Sequence, residues 1–180
     1  MAKLISNRYA LSLFETGIEL DKVEDFHNEL NFINQVFQSE EKLFDILRHP
    51  KISKNEKKSL IEEIFKGKLS QETINFFYII IDKRRERYIY EIVEEFNKKY
   101  NEYMNIVNVI AITAIPMEDK AQDRLKQALE TKLNKNIKFL NKVDKSIIGG
   151  VLLKMDNKFV DATLASQLKD METALKGVSL

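Results

Sequence analysis

The side chains best suited to chemistry in this sequence are two histidines, a basic cluster and a pair of glycines. His27 and His49 are the only histidines, and neither has a companion residue at the spacing that a metal site or an activated nucleophile needs. Cysteine is absent, which excludes disulfides, thiolate metal ligands and thiol nucleophiles. A small enzyme would need a convergent set of polar residues, and the sequence offers no such set. No catalytic residue, cofactor site or metal site is therefore predicted.

The densest positive charge lies in the segment Lys83-Arg84-Arg85-Glu86-Arg87, which is followed by Tyr88 and Tyr90. Arginines beside tyrosines can contact RNA phosphates and stack on bases. Acidic residues flank this segment, however, and it lies between two predicted helices, where charges commonly compensate helix ends. The pattern favours a turn, and an RNA-binding or ribosome-associated helical adaptor stays open as an alternative function.

The glycine pair, Gly149 and Gly150, raises the question of phosphate binding. A phosphate-binding loop has its glycines at a strand-to-helix turn and usually ends in lysine followed by serine or threonine. Here the apolar stretch Val151 to Leu153 continues past the glycines, and neither serine nor threonine follows Lys154. Because glycine in a strand costs backbone entropy and contributes no side chain, the pair indicates a bulge or the close approach of another backbone segment.

These glycines belong to a predicted β-hairpin. Ser146 to Met155 forms its first strand, Asp156-Asn157 supplies turn residues, and Lys158 to Val160 forms the return strand. Asp161 then occupies the expected N-cap position of a last helix that begins near Ala162. The apolar residues of that helix recur at helical spacing: Leu164, Leu168, Met171 and Leu175.

The chain before the hairpin changes its periodicity once. Up to about Tyr103, apolar residues recur at intervals of three and four, which predicts six short helices, with Ser39, Ser53 and Ser70 as N-caps. Most of the many aromatic residues in this half should fill a core, and the remainder could line a groove for a partner's amphipathic helix. The β-branched run from Ile106 to Ile115 then predicts a buried strand.

A helix over Glu118 to Leu133 and a strand over Ile137 to Val143 complete the second half. The predicted fold class is therefore α+β: a six-helix N-terminal bundle over residues 1–105, followed by a small mixed α/β domain over residues 106–180 that includes the β-hairpin and a C-terminal helix. No linker rich in proline, glycine or serine separates the two halves, so their relative orientation and mobility stay open.

Composition narrows the class of protein. The 180 residues are 44% hydrophobic and 32% charged, which is enough apolar material for a core beneath a solvated surface. The 29 basic and 28 acidic residues give a net charge of +1, so no global field indicates nucleic acid or an anionic membrane as a partner. The start of the sequence lacks a signal-peptide core, and the apolar runs are too short to span a bilayer. Membrane association is expected only through a partner.

Several motifs occur together in this sequence. Near the C-terminus they are Val143-Asp144, Ile147-Ile148-Gly149-Gly150-Val151, Leu153-Lys154, Asp161 and Thr163. Earlier in the chain they are Arg8-Tyr9-Ala10 with Leu13-Phe14, His49-Pro50 with Ile52-Ser53, and Asn75-Phe76 followed by Arg85. Together these motifs resemble one family, the delta subunit of bacterial F-type ATP synthase, whose mitochondrial counterpart is the oligomycin-sensitivity-conferring protein. The sequence departs from the family pattern at Asp156 and Ala162, where glycine is usual, and this affects local turn geometry.

The resemblance implies a non-catalytic stator subunit of the rotary proton-translocating ATP synthase, peripheral at the cytoplasmic face of the cell membrane. Residues 1–105 would bind the catalytic head, and residues 106–180 would bind the C-terminal end of the peripheral-stalk b subunit. In the family, the first and fifth helices form a groove for the N-terminal helix of an alpha subunit, and the matching positions here are Tyr9, Ser12 and Ile79. By the same resemblance, Arg85, Gly149, Gly150 and Asp161 would be structural.

Overall fold

The computed structural model describes residues 2–155 and 158–177. The chain divides into two compact units, Met1–Asn101 and Glu102–Leu180. The predicted hairpin turn at Asp156-Asn157 lies outside the described residues. The first unit is helical and the second contains a sheet, so the predicted α+β class is confirmed.

Six α-helices make up the described part of the first unit, as the apolar periodicity predicts. They are α1 (Ala2–Glu19), α2 (Val23–Ser39), α3 (Glu41–Arg48), α4 (Lys54–Phe65), α5 (Gln71–Asp82) and α6 (Ile89–Tyr103), with a 3-10 turn at Glu86–Tyr88 before α6. Their apolar faces meet in an aromatic core. Its fully buried phenylalanines are Phe26, Phe37, Phe65, Phe77 and Phe96.

Two of the three predicted serine caps are present. The Ser53 hydroxyl accepts a hydrogen bond from the Glu56 amide (3.3 Å), and the Ser53 amide donates to the Glu56 carboxylate (2.9 Å), which is a complete capping box. The Ser70 hydroxyl accepts from the Thr73 amide (3.4 Å) at the start of α5. The Ser39 prediction is wrong, because the helical hydrogen bonding of α2 continues through this residue and α3 begins only at Glu41.

The second unit is built on a four-stranded sheet in the order β2-β1-β3-β4. Strand β1 pairs in parallel with β2 through the crossover helix α7, and the pairs β1–β3 and β3–β4 are antiparallel. One face of the sheet packs against Leu125 and Leu129 of α7. The elements are β1 (Ile106–Thr113), α7 (Asp119–Leu133), β2 (Asn136–Val143), β3 (Gly150–Met155), β4 (Lys158–Thr163) and α8 (Leu164–Gly177).

The hairpin differs from its prediction at both ends. Strand β3 begins at Gly150 instead of Ser146, and β4 continues to Thr163 because its ladder with β3 extends to the pair Gly150–Thr163. Asp161 therefore lies within β4, and its prediction as a helix N-cap is wrong. Helix α8 begins at Leu164, and the Thr163 hydroxyl accepts from the Ser166 amide (3.3 Å), which is the hydrogen bond of an N-cap.

Candidate functional site

A groove of about 580 Å³ lies along α1 and α5 in the first unit. Most of its lining is apolar, and α1 contributes the larger share of it. The lining residues are Leu4, Ile5, Asn7, Arg8, Tyr9, Leu11, Ser12, Phe76, Ile79 and Arg85. Such an elongated apolar surface between two helices can receive a third helix.

The groove leaves large apolar side chains in contact with solvent. Leu4 is 76% exposed and Ile79 is 51% exposed, whereas Phe76 is buried at the base of the groove. The Tyr9 ring packs edge-on against Phe76, with 6.3 Å between the ring centroids, so the wall and the base are in direct contact. Because Leu4 and Ile79 are exposed, they contribute little to the core of the unit itself.

Two arginines, Arg8 and Arg85, give the groove its charge. Neither takes part in an ion pair within the described residues. Arg84 adopts a left-handed conformation (φ 53°), and the Arg85 amide donates to the Ile80 carbonyl (2.9 Å), which closes the end of α5 in a Schellman motif. The backbone at Arg85 is therefore fixed beside a surface where a partner's carboxylate could be bound.

The end of α5 is also tied to α4. Lys58 donates a hydrogen bond to the Asp82 carboxylate (2.8 Å), and this bond holds the pKa of Asp82 below its ordinary value. Lys54 donates to the Asp82 carbonyl (2.9 Å). These two contacts hold the C-terminal turn of α5, next to the groove, against a second helix.

Four of the residues singled out in the sequence come together in this groove. Tyr9 and Ser12 line it from α1, Ile79 from α5, and Arg85 from the turn after α5. Leu4, Leu11 and Arg8 also line the groove and were missed. The available signal was that Leu4 and Leu11 are seven residues apart and fall outside the line of Ile5, Tyr9 and Leu13. The role of these residues in binding a partner stays a prediction.

The glycine motif lies elsewhere, in the hairpin of the second unit. Gly150 has a φ of 83°, and a Cβ there would overlap the carbonyl oxygen of Ala162, while a Cβ on Gly149 would lie 2.8 Å from Leu164. The predicted close approach is thus that of the chain's own β4–α8 junction. The predicted bulge is absent from the described β3–β4 ladder, whose register is continuous from Gly150.

Asp161 fixes the same junction. Its carboxylate accepts from the Thr163 amide (2.9 Å), and that backbone hydrogen bond lowers the pKa of Asp161 below its ordinary value. The hydrogen bond orients the residue that caps α8. Gly149, Gly150 and Asp161 therefore share one location in the second unit, whereas the groove residues belong to the first.

The other candidate residues make local contacts. The His27 ring stacks on Tyr100 at 3.7 Å, and His49 Nδ1 accepts from the Lys51 amide (3.3 Å). Within the basic segment, Glu86 is buried and accepts from Lys57 (2.7 Å). Among residues 2–155 and 158–177, acidic residues and histidines nowhere cluster in threes as a metal site would need. In that same part of the chain, every helix is too short or too polar to cross a membrane.

The first unit is thus a helical bundle with an open apolar groove, and the same chain carries a small α/β unit. The family model described as "ATP synthase delta (OSCP) subunit" matches residues 5–175. The chain belongs to this family. The predicted family is confirmed, and so is the prediction of a non-catalytic stator component of ATP synthase; the RNA-binding or ribosome-associated alternative is not supported.

Individual relatives cover the whole chain. An ATP synthase subunit delta of Alkaliphilus oremlandii is 41% identical over 178 residues, which is 99% of each chain. One of Alkaliphilus metalliredigens is 36% identical over 175 residues, or 97% of each chain. The fold is similar to that of a chain in the Toxoplasma gondii mitochondrial ATP synthase hexamer, with a TM-score of 0.74 at 16% identity, covering 94% of this chain and 96% of that one.

Proposed function

We propose that the first unit binds the N-terminal helix of an ATP synthase alpha subunit in the groove between α1 and α5. The second unit binds the C-terminal end of the peripheral-stalk b subunit. The chain then joins the catalytic head to the stalk at the cytoplasmic face of the membrane. Because rotation of the central shaft applies torque to the head, this connection keeps the head from turning with the shaft.

One observation carries the proposal for the first unit: the groove brings the exposed side chains of Leu4, Leu11 and Ile79 together on one surface. An amphipathic helix laid in such a groove buries its apolar face and gains most of its affinity from a few anchors. Helix α1 has 18 residues, so at 1.5 Å per residue it is about 27 Å long. A partner helix of four or five turns matches this length.

The charges of the groove add a preference for one orientation. Arg8 and Arg85 are its two arginines, and neither has an ion-pair partner in the described part of the chain. A carboxylate on the partner helix near either guanidinium would form a charge-assisted hydrogen bond. Charge at such an interface sets the direction of binding more than its strength.

Exposed apolar residues support a partner for the second unit as well. Leu164, Leu168 and Met171 recur at intervals of four and three on α8, and all three are exposed. This spacing places them on one face of the helix. A helix of the stalk could bury that face of α8.

The experiment for the groove is calorimetric titration of the full-length protein with a synthetic peptide of the alpha subunit's N-terminal helix from the same organism. Saturable one-to-one binding is expected. Tyr9→Asp and Ile79→Asp should each raise the Kd at least about tenfold, because each places a charge against the apolar face of the partner.

The matched control is Ile46→Asp, since Ile46 on α3 is similarly exposed (43%) but lies outside the groove. Its Kd should equal that of the wild type. A folded protein that does not bind the peptide would contradict the proposal, and so would an equal loss of affinity in the Ile46 variant.

A further inference from the structure

The sheet of the second unit has two unlike faces. Val109 of β1 lies beside Phe139 of β2 and Met155 of β3, and these three face α7. Side chains alternate along a strand, so on each strand the residues next to these three point to the other side of the sheet. There the register places one row across all four strands: Leu140, Ile110, Lys154 and Phe159. We call this side the open face.

The apolar residues of the open face are exposed or only partly buried. Phe159 is 63% exposed and Leu140 is 51% exposed, and Ile110 between them is only partly buried. The next row adds Ile112 and Leu152, both also only partly buried. An apolar face of a sheet is ordinarily packed against another layer of the protein. Helix α7 packs on the other face of this sheet, so the open face does not share that layer.

Three lysines lie beside or among these apolar residues. Lys138 and Lys142 of β2 and Lys154 of β3 lie on the open face, and within the described residues none of them has a carboxylate partner. Lys154 Nζ lies 5.5 Å from the Phe159 ring centroid, so its charge is held directly over the apolar surface. Asp161 is on this face too, and its carboxylate already accepts from the Thr163 amide.

We propose that the open face binds an acidic amphipathic helix supplied by the peripheral stalk. This inference rests on the proposed function, in that it takes the stalk as the partner of the second unit. The row from Leu140 to Phe159 crosses four strands, which is about 14 Å at the usual strand spacing. Two to three helical turns, with apolar residues at intervals of three and four, cover that distance.

Charge decides between this partner and a second copy of the same chain. Two open faces laid against each other would bring lysines against lysines, and like charges brought together at an interface disfavour that pairing. Aspartate and glutamate at the edges of a partner helix instead pair with Lys138, Lys142 and Lys154. An anionic bilayer offers the same sign of charge, so vesicles form a separate arm of the test.

The test titrates the full-length protein with the soluble C-terminal segment of the b subunit from the same organism. Leu140→Asp should raise the Kd about tenfold or more, because it places a like charge against the acidic helix in the apolar centre. Lys142→Glu should raise the Kd about threefold to tenfold and reduce the dependence of the Kd on salt. Should Leu140→Asp fail to fold by circular dichroism, Phe159→Ser replaces it, since Phe159 is more exposed.

The matched control is Lys158→Glu. Lys158 is on the same strand as Phe159 but pairs with Met155 and so lies on the opposite face. Its Kd should be that of the wild type. The inference is overturned if Leu140→Asp binds as the wild type does, or if Leu168→Asp on α8 causes the loss instead.

Three further outcomes are separated by the same set of proteins. A folded wild-type protein that does not bind the b segment overturns both this inference and the proposed stalk contact, while the alpha-peptide titration remains independent. Flotation with phosphatidylcholine vesicles that contain phosphatidylglycerol tests whether the open face binds a membrane. If the protein binds vesicles but not the b segment, and Leu140→Asp removes the vesicle binding, the face binds lipid and the proposed binding of a helix is overturned. Self-association that Leu140→Asp removes assigns it to a second copy.

Discussion

The two units differ in how they use their apolar residues. In the first unit, the largest fully buried side chains are spread over five of the six helices, α2 to α6. The second has a small buried core: Val107, Val109, Ala111, Ile137 and Leu153. It leaves larger residues exposed, including Leu140, Phe159, Leu164, Leu168 and Met171.

From this difference we expect the bundle to be stable by itself and the second unit to be stabilised further when a partner binds. Burying one large aliphatic or aromatic side chain contributes about 1.5 to 3 kcal/mol, against about 1 to 2 kcal/mol of backbone entropy for each ordered residue. Because the largest fully buried side chains of the described residues all lie in the first unit, burial contributes less to the stability of the second. Under the proposed function, the bundle would bind the head, and the stalk would cover the exposed apolar residues of the second unit.

The largest effect is expected from removing core volume in the bundle. Phe26 is fully buried, so Phe26→Ala should lower the free energy of unfolding by about 4 kcal/mol through lost burial and the cavity left behind. The measurement is urea unfolding followed by circular dichroism at 222 nm. Phe159→Ala, at an exposed position of the second unit, is the control and should change the free energy of unfolding little. A loss below about 1 kcal/mol for Phe26→Ala would contradict a self-sufficient bundle.

A buried ion pair provides the next prediction. Lys57 and Glu86 are 2.7 Å apart, and each side chain is only 6% exposed. Lys57→Met leaves the Glu86 carboxylate buried without its partner, which should cost about 3 kcal/mol of unfolding free energy. The double variant Lys57→Met/Glu86→Leu should recover most of that loss, because it removes both charges.

The control for this pair is Lys58→Met. Lys58 forms a 2.8 Å ion pair with Asp82 that is partly exposed, so its loss should cost under about 1 kcal/mol. Equal losses for Lys57→Met and Lys58→Met in urea unfolding would show that burial of the first pair does not matter to the bundle.

In the second unit, the strongest single-residue constraint is Gly150. Gly150→Ala meets both a positive φ and the carbonyl oxygen of Ala162, so it should cost at least about 2 kcal/mol. Hydrogen exchange should show faster exchange in β3 and β4, while the bundle and its binding of the alpha-subunit peptide stay unchanged. Loss of protection in the bundle as well would mean that the two units do not differ in the way proposed.

Local signals in the sequence predicted much of this fold. Apolar spacing of three and four gave the six helices, and the Ser53–Glu56 pair gave a complete capping box. These features depend on residues within one or two helical turns of each other. The adjacent glycines likewise indicated a close backbone approach, which the structure places at the β4–α8 junction.

What the sequence could not provide depends on contacts between distant residues. Ser39 and Asp161 have side chains suited to N-caps, but neither residue is one. Helix α2 continues through Ser39, and the β3–β4 ladder continues to Thr163. In the groove, Tyr9, Ser12 and Ile79 came from family resemblance. The sequence shows Leu4 and Leu11 as a second apolar line on α1, but assigning them and Arg8 to the groove required knowing that α1 and α5 are neighbours.

The smallest effect is expected at the capping box of α4. Ser53→Ala removes the acceptor for the Glu56 amide and should cost about 1 kcal/mol near neutral pH. The Ser53 side chain, followed by its backbone amide, also holds the pKa of Glu56 below its ordinary value. A carboxyl whose folded pKa is lowered stabilises the fold above its unfolded pKa of about 4.3 and loses that contribution as pH falls through the folded value.

The difference between wild type and Ser53→Ala should therefore shrink as pH is lowered from 7 to 3, since protonated Glu56 accepts from Ser53 only through a weaker, uncharged hydrogen bond. Urea unfolding of both proteins at each pH measures it, and Glu56→Gln, which lacks the charge throughout, should show a Ser53 effect that varies less with pH. If the free-energy cost of Ser53→Ala did not change with pH while Glu56 is present, the hydroxyl would act on the helix amides alone. Because the box lies within the bundle, hydrogen exchange in the second unit should not respond to either substitution.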